Sequence, residues 1–549
     1  MIKSQVLEII HRHHLVLPKQ VGARPEDLIL ADNALSRAVR QHYSTFSIAV
    51  GYGGPGTGKT FTCLKIFHDL KERGFVTYIP LRYYKQERGS MAHVLNSEGH
   101  TSLVASAVAE ALARQQTLSR HVKGVLTNAD DVPGMQIEGR KLGEILREYQ
   151  EKVLYHTARR HHIILLDEFE EGIRGYDDIV ALTDIAYTAR AYMHDEHGYV
   201  GVKVVAVMAL VPPPESIREH LQSKYIHEAL SREIEKRLTK LSHEHTIPFK
   251  TIMIPPVDLG HPSNTLSVLR QFAERSIEIV KQKLHASFTI TNIDCAIKLL
   301  VNIWPIARWA KDILMEALVE AITAAAGGKD GDLLYYTKLM LKRSLDMRED
   351  EDVEKILVEG KWGTLKEEGV PDNIRGFIER VLREVCSEIV KQSSAVTDCE
   401  YTYMDAKRER GFVTVHYRIR VLTEEKVPAR KRGESTTEKS SRKGTVSTPR
   451  SHDIIFWLRQ SDITKNTVKS MKIESKMPVV LIMPENVRIK APLPENIVAI
   501  VRLPSPLMYY VSVSTKRAID AKLSEFYDEV LDGYIQQAVL SLVKQCTRF

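Results

Sequence analysis

The sequence contains little cysteine, with five residues in a chain of 549. The five lie far apart, form no CxxC pair and are odd in number, so the pattern indicates neither a disulfide framework nor a thiolate zinc site. We therefore expect the cysteines to be buried as small apolar side chains. They are Cys63, Cys295, Cys386, Cys399 and Cys546.

Long apolar runs are also lacking. The best run, Val204–Val211, has the length of a strand and leads into three prolines, whereas a transmembrane helix needs about 20 apolar residues. The first twenty residues carry His11, Arg12, His13 and His14 within their apolar pattern, which is not typical of a secretory signal. These absences predict a cytoplasmic protein with no membrane partner.

Most of the net positive charge of the chain comes from one segment. The net charge is +7, and residues 426–450 contain eight basic residues against two acidic ones, so this segment supplies six of the seven charges. The rest of the chain is close to neutral. Nucleic-acid binding through charge is therefore a hypothesis about this segment alone.

No internal repeat is visible, and the N-terminal part alternates strand-like and helical patterns. Runs that are apolar on both faces predict strands buried between helices, as in an α/β domain with a doubly wound parallel sheet. The predicted strands are Phe46–Val50, Phe75–Leu81, Ile163–Leu166 and Val202–Leu210.

A glycine-rich loop directly follows the first predicted strand and precedes a predicted helix. It fits the pattern G-x-x-x-x-G-K-[ST], in which glycines let backbone N–H groups face phosphates at a helix N-terminus. Lys59 is predicted to reach the β- and γ-phosphates, and Thr60 to ligate Mg²⁺. The loop residues are Gly53, Gly54, Pro55, Gly56, Thr57, Gly58, Lys59 and Thr60.

The same glycines also match a dinucleotide fingerprint, Gly51-x-Gly53-x-x-Gly56. That motif needs an acidic residue about 20 positions further on to bind a ribose. The second predicted strand instead continues into Arg82 without an acid. The fingerprint would also leave Lys59 unexplained, so the phosphate-binding loop is the favoured interpretation.

Two acids end the third predicted strand. Asp167 and Glu168 follow four apolar residues, a pattern that places one carboxylate near the metal and the other near the attacking water. Asp167 is predicted to bind Mg²⁺, usually through a water, and Glu168 to polarise the water that attacks the γ-phosphate. Two acids at a strand end also occur in ordinary solvated turns; their pairing with Lys59 favours the catalytic interpretation.

With these Walker A and Walker B motifs, residues 20–328 resemble AAA+ P-loop ATPases, and within them the archaeal origin-recognition and replication-initiator ATPases. The resemblance implies a parallel sheet with a helical lid, ATP and Mg²⁺ as cofactors, and a homo-oligomer. It also implies a γ-phosphate-sensing arginine opening a lid helix, for which Arg308 in Trp304–Ala310 is the candidate. An exposed helix arginine is the alternative.

The resemblance further implies an arginine contributed by the neighbouring subunit, for which Arg232 and Arg237 are candidates, with a slight preference for Arg237. Either could instead pair with nearby glutamates. One departure concerns the polar residue that the family carries at the end of its fourth strand. Here that strand stays apolar until Pro212, so slow hydrolysis is expected.

Length, composition and pattern changes predict four segments. They are a P-loop α/β domain at 1–258, a helical lid at 259–328, a helical linker at 329–395 and a C-terminal α/β domain at 396–549. Within the last, residues 424–452 offer almost nothing to bury, and a disordered basic insertion is expected. No helix-turn-helix signature follows the lid.

The C-terminal domain offers weaker signals. Val413–Val421 alternates apolar and polar residues, with Arg418 and Arg420 on the outer face, which favours DNA binding modestly; a solvated linker is the alternative for the basic segment. Asp453 and Glu474-Ser475-Lys476 weakly resemble the acid and E-x-K elements of metal-dependent nucleases. His161 and His162 are expected at the surface.

Together these features predict an ATP-dependent switch that acts on DNA, for example in replication initiation or transposition, through its basic C-terminal region. The alternative from another class is a signalling or defence scaffold whose C-terminal domain binds protein.

Overall fold

The computed structural model describes most of the chain, in two compact units. One unit comprises Met1–Val301 and Pro305–Thr337, and the other comprises Asn302–Trp304 and Lys338–Phe549. The described residues are 2–12, 31–87, 92–129, 134–191, 201–210, 225–244, 253–345, 347–359, 372–392, 396–409, 412–426, 445–459, 462–468, 477–485, 487–512 and 521–547.

The first unit contains a six-stranded sheet, in the order β3-β2-β4-β5-β1-β6. All neighbouring strands are parallel except the short edge pair β2 and β3. The strands are β1 (Ile48–Gly53), β2 (Phe75–Pro80), β3 (Leu126–Thr127), β4 (His161–Asp167), β5 (Gly201–Ala209) and β6 (Met253–Asp258).

Seventeen α-helices precede, separate and follow the strands in the described part of the chain. They are α1 (Ile2–Arg12), α2 (Ala34–Gln41), α3 (Lys59–Leu70), α4 (Leu81–Gln86), α5 (Leu103–Ala113), α6 (Gln115–His121), α7 (Leu142–Lys152), α8 (Phe169–Gly172), α9 (Tyr176–Ala191), α10 (Ile226–Glu244), α11 (Pro262–Leu284), α12 (Ile293–Ile303), α13 (Ala307–Ala326), α14 (Leu333–Ser344), α15 (Asp372–Gln392), α16 (Ser505–Ser512) and α17 (Ala521–Thr547). No helix in the described ranges is both long and apolar enough to cross a bilayer.

The central strands are apolar on both faces because both faces are covered. β4 is buried throughout, and its alternate side chains pack into two different apolar clusters. Ile164 and Leu166 belong to one cluster, and Ile163 and Leu165 belong to the other. Such two-sided burial is typical of a parallel sheet between helical layers. The predicted α/β fold class is confirmed, and all four predicted strands form; β3 and β6 were not predicted.

Three helices follow the sheet, in the segment 259–328 where the sequence predicts a helical lid. α11 begins at Pro262. Proline is tolerated in the first turn of a helix because the N–H that it lacks would have no helical partner there. α13 carries its apolar side chains inward, with Trp309 fully buried. We call α11–α13 the lid helices; the proposed limits of this lid, 259–328, stay a prediction.

The second unit contains a five-stranded mixed sheet, in the order β11-β10-β9-β8-β7. β7 to β9 are antiparallel neighbours, whereas β9, β10 and β11 are parallel. The strands are β7 (Val396–Glu409), β8 (Phe412–Lys426), β9 (Thr445–Arg459), β10 (Val479–Pro484) and β11 (Ile497–Leu503). The alternating apolar residues of β8 are all buried, as their period of two requires.

The expected disordered insertion at 424–452 is partly wrong. β8 continues to Lys426 and β9 begins at Thr445, and the two pair in register across that end. The backbone groups there form ladder hydrogen bonds, which do not require buried side chains. Residues 427–444 lie outside the described residues.

Two expectations about single side chains are also wrong. Cys386 and Cys399 form a disulfide with a Cα–Cα distance of 5.2 Å, joining α15 to β7. The two cysteines are 13 residues apart in the sequence, a spacing that matches no cysteine motif. His161 and His162 are buried, not exposed, because they begin β4 inside the sheet. Cys63 and Cys546 are buried as expected, whereas Cys295 is exposed.

Candidate functional site

The glycine loop connects β1 to α3 as the sequence predicts. Gly56 and Gly58 have φ angles of 76° and 87°, a left-handed conformation that glycine adopts without a Cβ penalty. At Gly53, an added Cβ would lie 2.4 Å from Oγ1 of Thr57. The Thr57 hydroxyl donates to the Gly54 carbonyl over 2.9 Å, which closes the turn.

Lys59 begins α3 and extends over this loop. Its ammonium donates to the carbonyl oxygens of Gly53, at 3.1 Å, and Gly54, at 2.9 Å. An ammonium is a point charge with three donors, so Lys59 can redirect these hydrogen bonds to phosphate oxygens without moving its backbone. The loop thus places a cation beside N–H groups at a helix N-terminus, a combination that binds anions.

Asp167 ends β4 and is almost completely buried. Its carboxylate accepts hydrogen bonds from the side chain of Thr60 and from the Tyr78 hydroxyl, the latter at 2.9 Å. Burial raises the pKa of Asp167, while these hydrogen bonds and the charge of Lys59 lower it. The structure therefore brings together the two predicted metal ligands, Thr60 and Asp167.

Glu168 follows in the left-handed region, with a φ of 53°. The chain turns there from β4 into α8, and the Glu168 N–H donates to Oδ1 of Asp167 over 3.0 Å. Burial, and next the charge of Asp167, raise the pKa of the Glu168 carboxyl to about 7, while Arg82 opposes the shift. A carboxyl with a pKa near neutrality suits a general base.

Three side chains that the sequence analysis did not single out as site residues belong to this site. Tyr78, in β2, donates a hydrogen bond to Asp167. The charge of Arg82, near the start of α4, lowers the pKa of Glu168 and so opposes its upward shift. Glu170, in α8, accepts the N–H of Ala209 at the end of β5 over 2.9 Å. No motif marks these residues, since each depends on which strands are neighbours in the sheet.

The predicted phosphate-sensing arginine also lies at the loop. The Arg308 N–H, in the first turn of α13, donates to the Gly56 carbonyl over 2.9 Å. The Thr265 hydroxyl of α11 donates to the Pro305 carbonyl over 2.8 Å, which fixes the segment just before α13. The N-terminus of a lid helix therefore contacts the glycine loop.

The two candidate trans-acting arginines differ in environment. Arg237 is bonded to Tyr176, Glu233 and Glu98 of its own chain, with the Glu98 pair at 2.7 Å. Hydrogen bonds to Tyr176 and Glu98 raise its pKa despite the opposing effect of burial. Arg232 is exposed on the same helix, α10.

The outer face of β8 in the second unit is less basic than the sequence suggests. Arg418 forms a two-pronged ion pair with Asp453 of β9, at 2.7 and 3.1 Å. His416 lies between Asp405 and Asp453, at 3.4 and 3.7 Å. Glu474 and Lys476, the weak nuclease elements, lie outside the described residues.

The residues around the loop fit Mg-ATP. Mg²⁺ prefers oxygen ligands and usually retains several waters, and the Thr60 hydroxyl and Asp167 carboxylate supply oxygens side by side. The loop amides and Lys59 line the place where a triphosphate would lie, and the backbone N–H of Arg308 contacts the loop at Gly56. The arrangement can bind an anion and a divalent cation next to a carboxyl of near-neutral pKa.

No protein-family model matches the chain, and no curated protein matches it. Among solved structures, the Walker-type ATPase PABY2304 of Pyrococcus abyssi is 14% identical over 68% of this chain and 82% of its own, with a TM-score of 0.30. The ORC2 protein of Aeropyrum pernix is 13% identical over 65% and 74%, with a TM-score of 0.28. A RuvB mutant of Thermotoga maritima is 11% identical over 65% and 75%, with a TM-score of 0.25.

The glycine loop, the two acids beside it and the parallel sheet define the fold of a P-loop nucleoside triphosphatase. Three helices follow this sheet, and the N-terminus of the third, α13, contacts the loop. The first unit therefore has the P-loop fold with three helices after its sheet, on the evidence of its own strands, loop and lid helices.

Proposed function

We propose that this chain is an ATP-dependent molecular switch that binds Mg-ATP at the glycine loop and hydrolyses it. The observation that carries the proposal is the convergence of Lys59, Thr60 and Asp167 at the edge of the sheet where its parallel strands end, with Thr60 and Asp167 hydrogen-bonded. The alternative, an ordinary solvated turn with two acids, does not account for the position of Thr60 and Asp167 next to Lys59.

Each residue then has a defined part. The loop amides and the N-terminus of α3 bind the phosphates, and Lys59 transfers its donors from the loop carbonyls to the β- and γ-phosphates. Thr60 and Asp167 would hold Mg²⁺, which would supply positive charge against the charge that develops on the phosphates. Glu168 accepts a proton from the attacking water, and Arg308 contacts the γ-phosphate from the lid helices.

Two substitutions test these parts separately. Lys59→Ala should abolish nucleotide binding, because it removes the loop cation. Glu168→Gln should keep binding and stop hydrolysis, because an amide cannot accept the proton. Titration with a fluorescent ATP analogue and phosphate release measure the two steps, with the exposed Lys123→Ala as control. Equal loss of binding in both variants would contradict the assigned parts.

We also propose a homo-oligomer in which one subunit supplies an arginine to its neighbour's site. The contacts of Arg237 within its own chain favour Arg232 for this role, since Arg237 would have to leave two carboxylates and a tyrosine. Mass measurement with ATP, ADP and no nucleotide tests assembly.

A mixing experiment tests the arginine. Arg232→Ala keeps an intact loop, and Lys59→Ala keeps an intact arginine, so each should be inactive alone and the mixture should hydrolyse ATP. Arg237→Ala mixed with Lys59→Ala is the matched comparison. Recovery with Arg237→Ala and not with Arg232→Ala would reverse the assignment.

The target of the switch is proposed to be DNA, in a transaction such as replication initiation or transposition. The basic residues between 426 and 450 support this, since they supply most of the net charge. Lysine and arginine side chains are the groups that neutralise DNA phosphates. Electrophoretic binding at several salt concentrations, with and without residues 427–444, tests it. Binding that ignores both salt and deletion would count against the DNA target.

One observation favours a second candidate, a signalling or defence scaffold whose C-terminal unit binds protein. Arg418 is neutralised by Asp453, so the strand face beside the basic segment is not an extended cationic surface. Absence of DNA binding, together with a nucleotide-dependent change of mass in solution, would support the scaffold.

A further inference from the structure

The end of β5 lies beside the glycine loop, and the last two residues described there, Ala209 and Leu210, have apolar side chains. β5 lies between β1 and β4 in the sheet, and its Ala209 is in register with Gly53 at the start of the glycine loop. β5 ends with Ala209, and Leu210, 42% exposed, follows it. Neither side chain can donate or accept a hydrogen bond beside a phosphate.

Glu170 supplies a polar group at this place from a different element. It lies in α8, directly after Asp167 and Glu168, and its Oε2 accepts the Ala209 N–H over 2.9 Å. The carboxylate is close enough to Lys59 and Asp167 that both charges act on it. The Glu170 side chain therefore spans from α8 to the end of β5, within reach of the charges of Lys59 and Asp167.

The carboxylate retains hydrogen-bonding capacity in this position. Its recognised partners are the N–H of Ala209 and its own backbone N–H, whereas an ionised carboxylate has about four acceptor positions. A water approaching the γ-phosphate beside Glu168 could therefore donate to Glu170 without breaking the contact with β5.

We propose that Glu170 orients the attacking water, so that α8 provides the polar group that the apolar end of β5 lacks. The inference rests on the ATPase function proposed above. The water oxygen bonds to the γ-phosphorus as the bond from that phosphorus to the bridging oxygen breaks, and ADP leaves. One proton of the water passes to Glu168, and the other hydrogen is held by Glu170.

The simpler alternative is that Glu170 only ties α8 to β5. Glu170→Gln separates the two roles, because the amide oxygen still accepts the Ala209 N–H while the second acceptor becomes an NH₂ donor. Glu171→Gln is the matched control, since the neighbouring Glu171 pairs with Lys85 at 3.0 Å on the exposed side.

Single-turnover hydrolysis, nucleotide affinity and melting temperature should be measured for the wild type, Glu168→Gln, Glu170→Gln and Glu171→Gln. We expect Glu170→Gln to lower the hydrolysis rate by about 100- to 1,000-fold, the scale of losing one group that acts in the transition state. Its ATP affinity and melting temperature should match the wild type, and Glu171→Gln should hydrolyse normally.

The outcomes separate the two proposals. Wild-type hydrolysis that Glu168→Gln abolishes and Glu170→Gln leaves unchanged would overturn the role of Glu170 and keep the ATPase. Loss of ATP binding in Glu170→Gln would also overturn it, because the residue would then shape the loop and not the water. A wild type that hydrolyses no ATP would overturn both.

Discussion

The hydroxyl of Tyr78 donates a hydrogen bond to Oδ2 of Asp167 over 2.9 Å, and both groups are buried. The bond joins adjacent strands, with β2 supplying the tyrosine and β4 the acid. Asp167 thereby accepts hydrogen bonds from both Tyr78 and Thr60. The orientation of the proposed metal ligand is thus fixed in part by Tyr78, a residue that is not itself a proposed ligand.

Tyr78→Phe should weaken the use of Mg²⁺. Losing a group that orients a metal ligand typically costs about 10- to 100-fold in metal affinity or activity, so the Mg²⁺ concentration for half-maximal hydrolysis should rise about tenfold. Hydrolysis at increasing Mg²⁺ measures this. Tyr155→Phe, at an exposed tyrosine, is the control. An unchanged Mg²⁺ dependence would show that Tyr78 only fills the core.

His162 should make the stability of the protein depend on pH. Burial lowers the pKa of His162 to about 3 from an ordinary 6.5, and the neutral ring bonds to Thr77 and Tyr149. Between these values the unfolded chain binds a proton that the folded chain does not, so stability falls as pH drops from 6.5 towards 3. The slope is at most about 1.4 kcal/mol per pH unit for one histidine.

Urea unfolding at several pH values below 6.5 measures this slope. The variant His162→Gln should show a shallower dependence than the wild type, whereas His156→Gln, at an exposed histidine, should show the same one. Parallel curves for wild type and His162→Gln would refute the buried neutral ring as their source.

The unreduced chain should contain three alkylatable thiols after unfolding. Cys386 and Cys399 are joined, and Cys63, Cys295 and Cys546 are free. Mass spectrometry with iodoacetamide should count three labels without reductant and five with it. In the folded protein Cys295 should react first, because it is exposed. Five labels without reductant would show that the pair is not bonded in solution.

Replacing the two candidate arginines should affect stability unequally. Arg237→Ala removes an ion pair from the buried Glu233 and a bond from Tyr176, and we expect a loss of about 2 kcal/mol in unfolding free energy. Arg232→Ala changes an exposed side chain and should stay within about 0.5 kcal/mol. Urea unfolding compares them; equal losses would mean that the Arg237 contacts are not made in solution.

Local pattern predicted much of the fold and the centre of the site. The glycine loop, Lys59, Thr60 and the two acids were recognisable because their chemistry requires fixed residue types at fixed spacing. Strands β1, β2, β4 and β5 were recognisable because burial on both faces leaves continuous apolar runs. The role of each of these residues beyond its placement remains a prediction.

The remaining features depend on contacts between distant segments. The partners Tyr78 and Glu170 become visible only when the order of the strands is known, since each reaches a neighbouring strand. The short edge strand β3 contains two residues and has no detectable period. The disulfide joins cysteines of α15 and β7 that no spacing rule pairs. His162 of β4 is a polar residue that hydrogen bonds to Thr77 and Tyr149 make compatible with burial.

The contact between α13 and the glycine loop has a practical consequence, because it is made by main-chain atoms. The N–H of residue 308 and the carbonyl of residue 56 are present whatever side chains those positions carry. Replacing Arg308 therefore removes its guanidinium and leaves this attachment of the helix in place. Position 308 thus allows the charge to be altered independently of the docking.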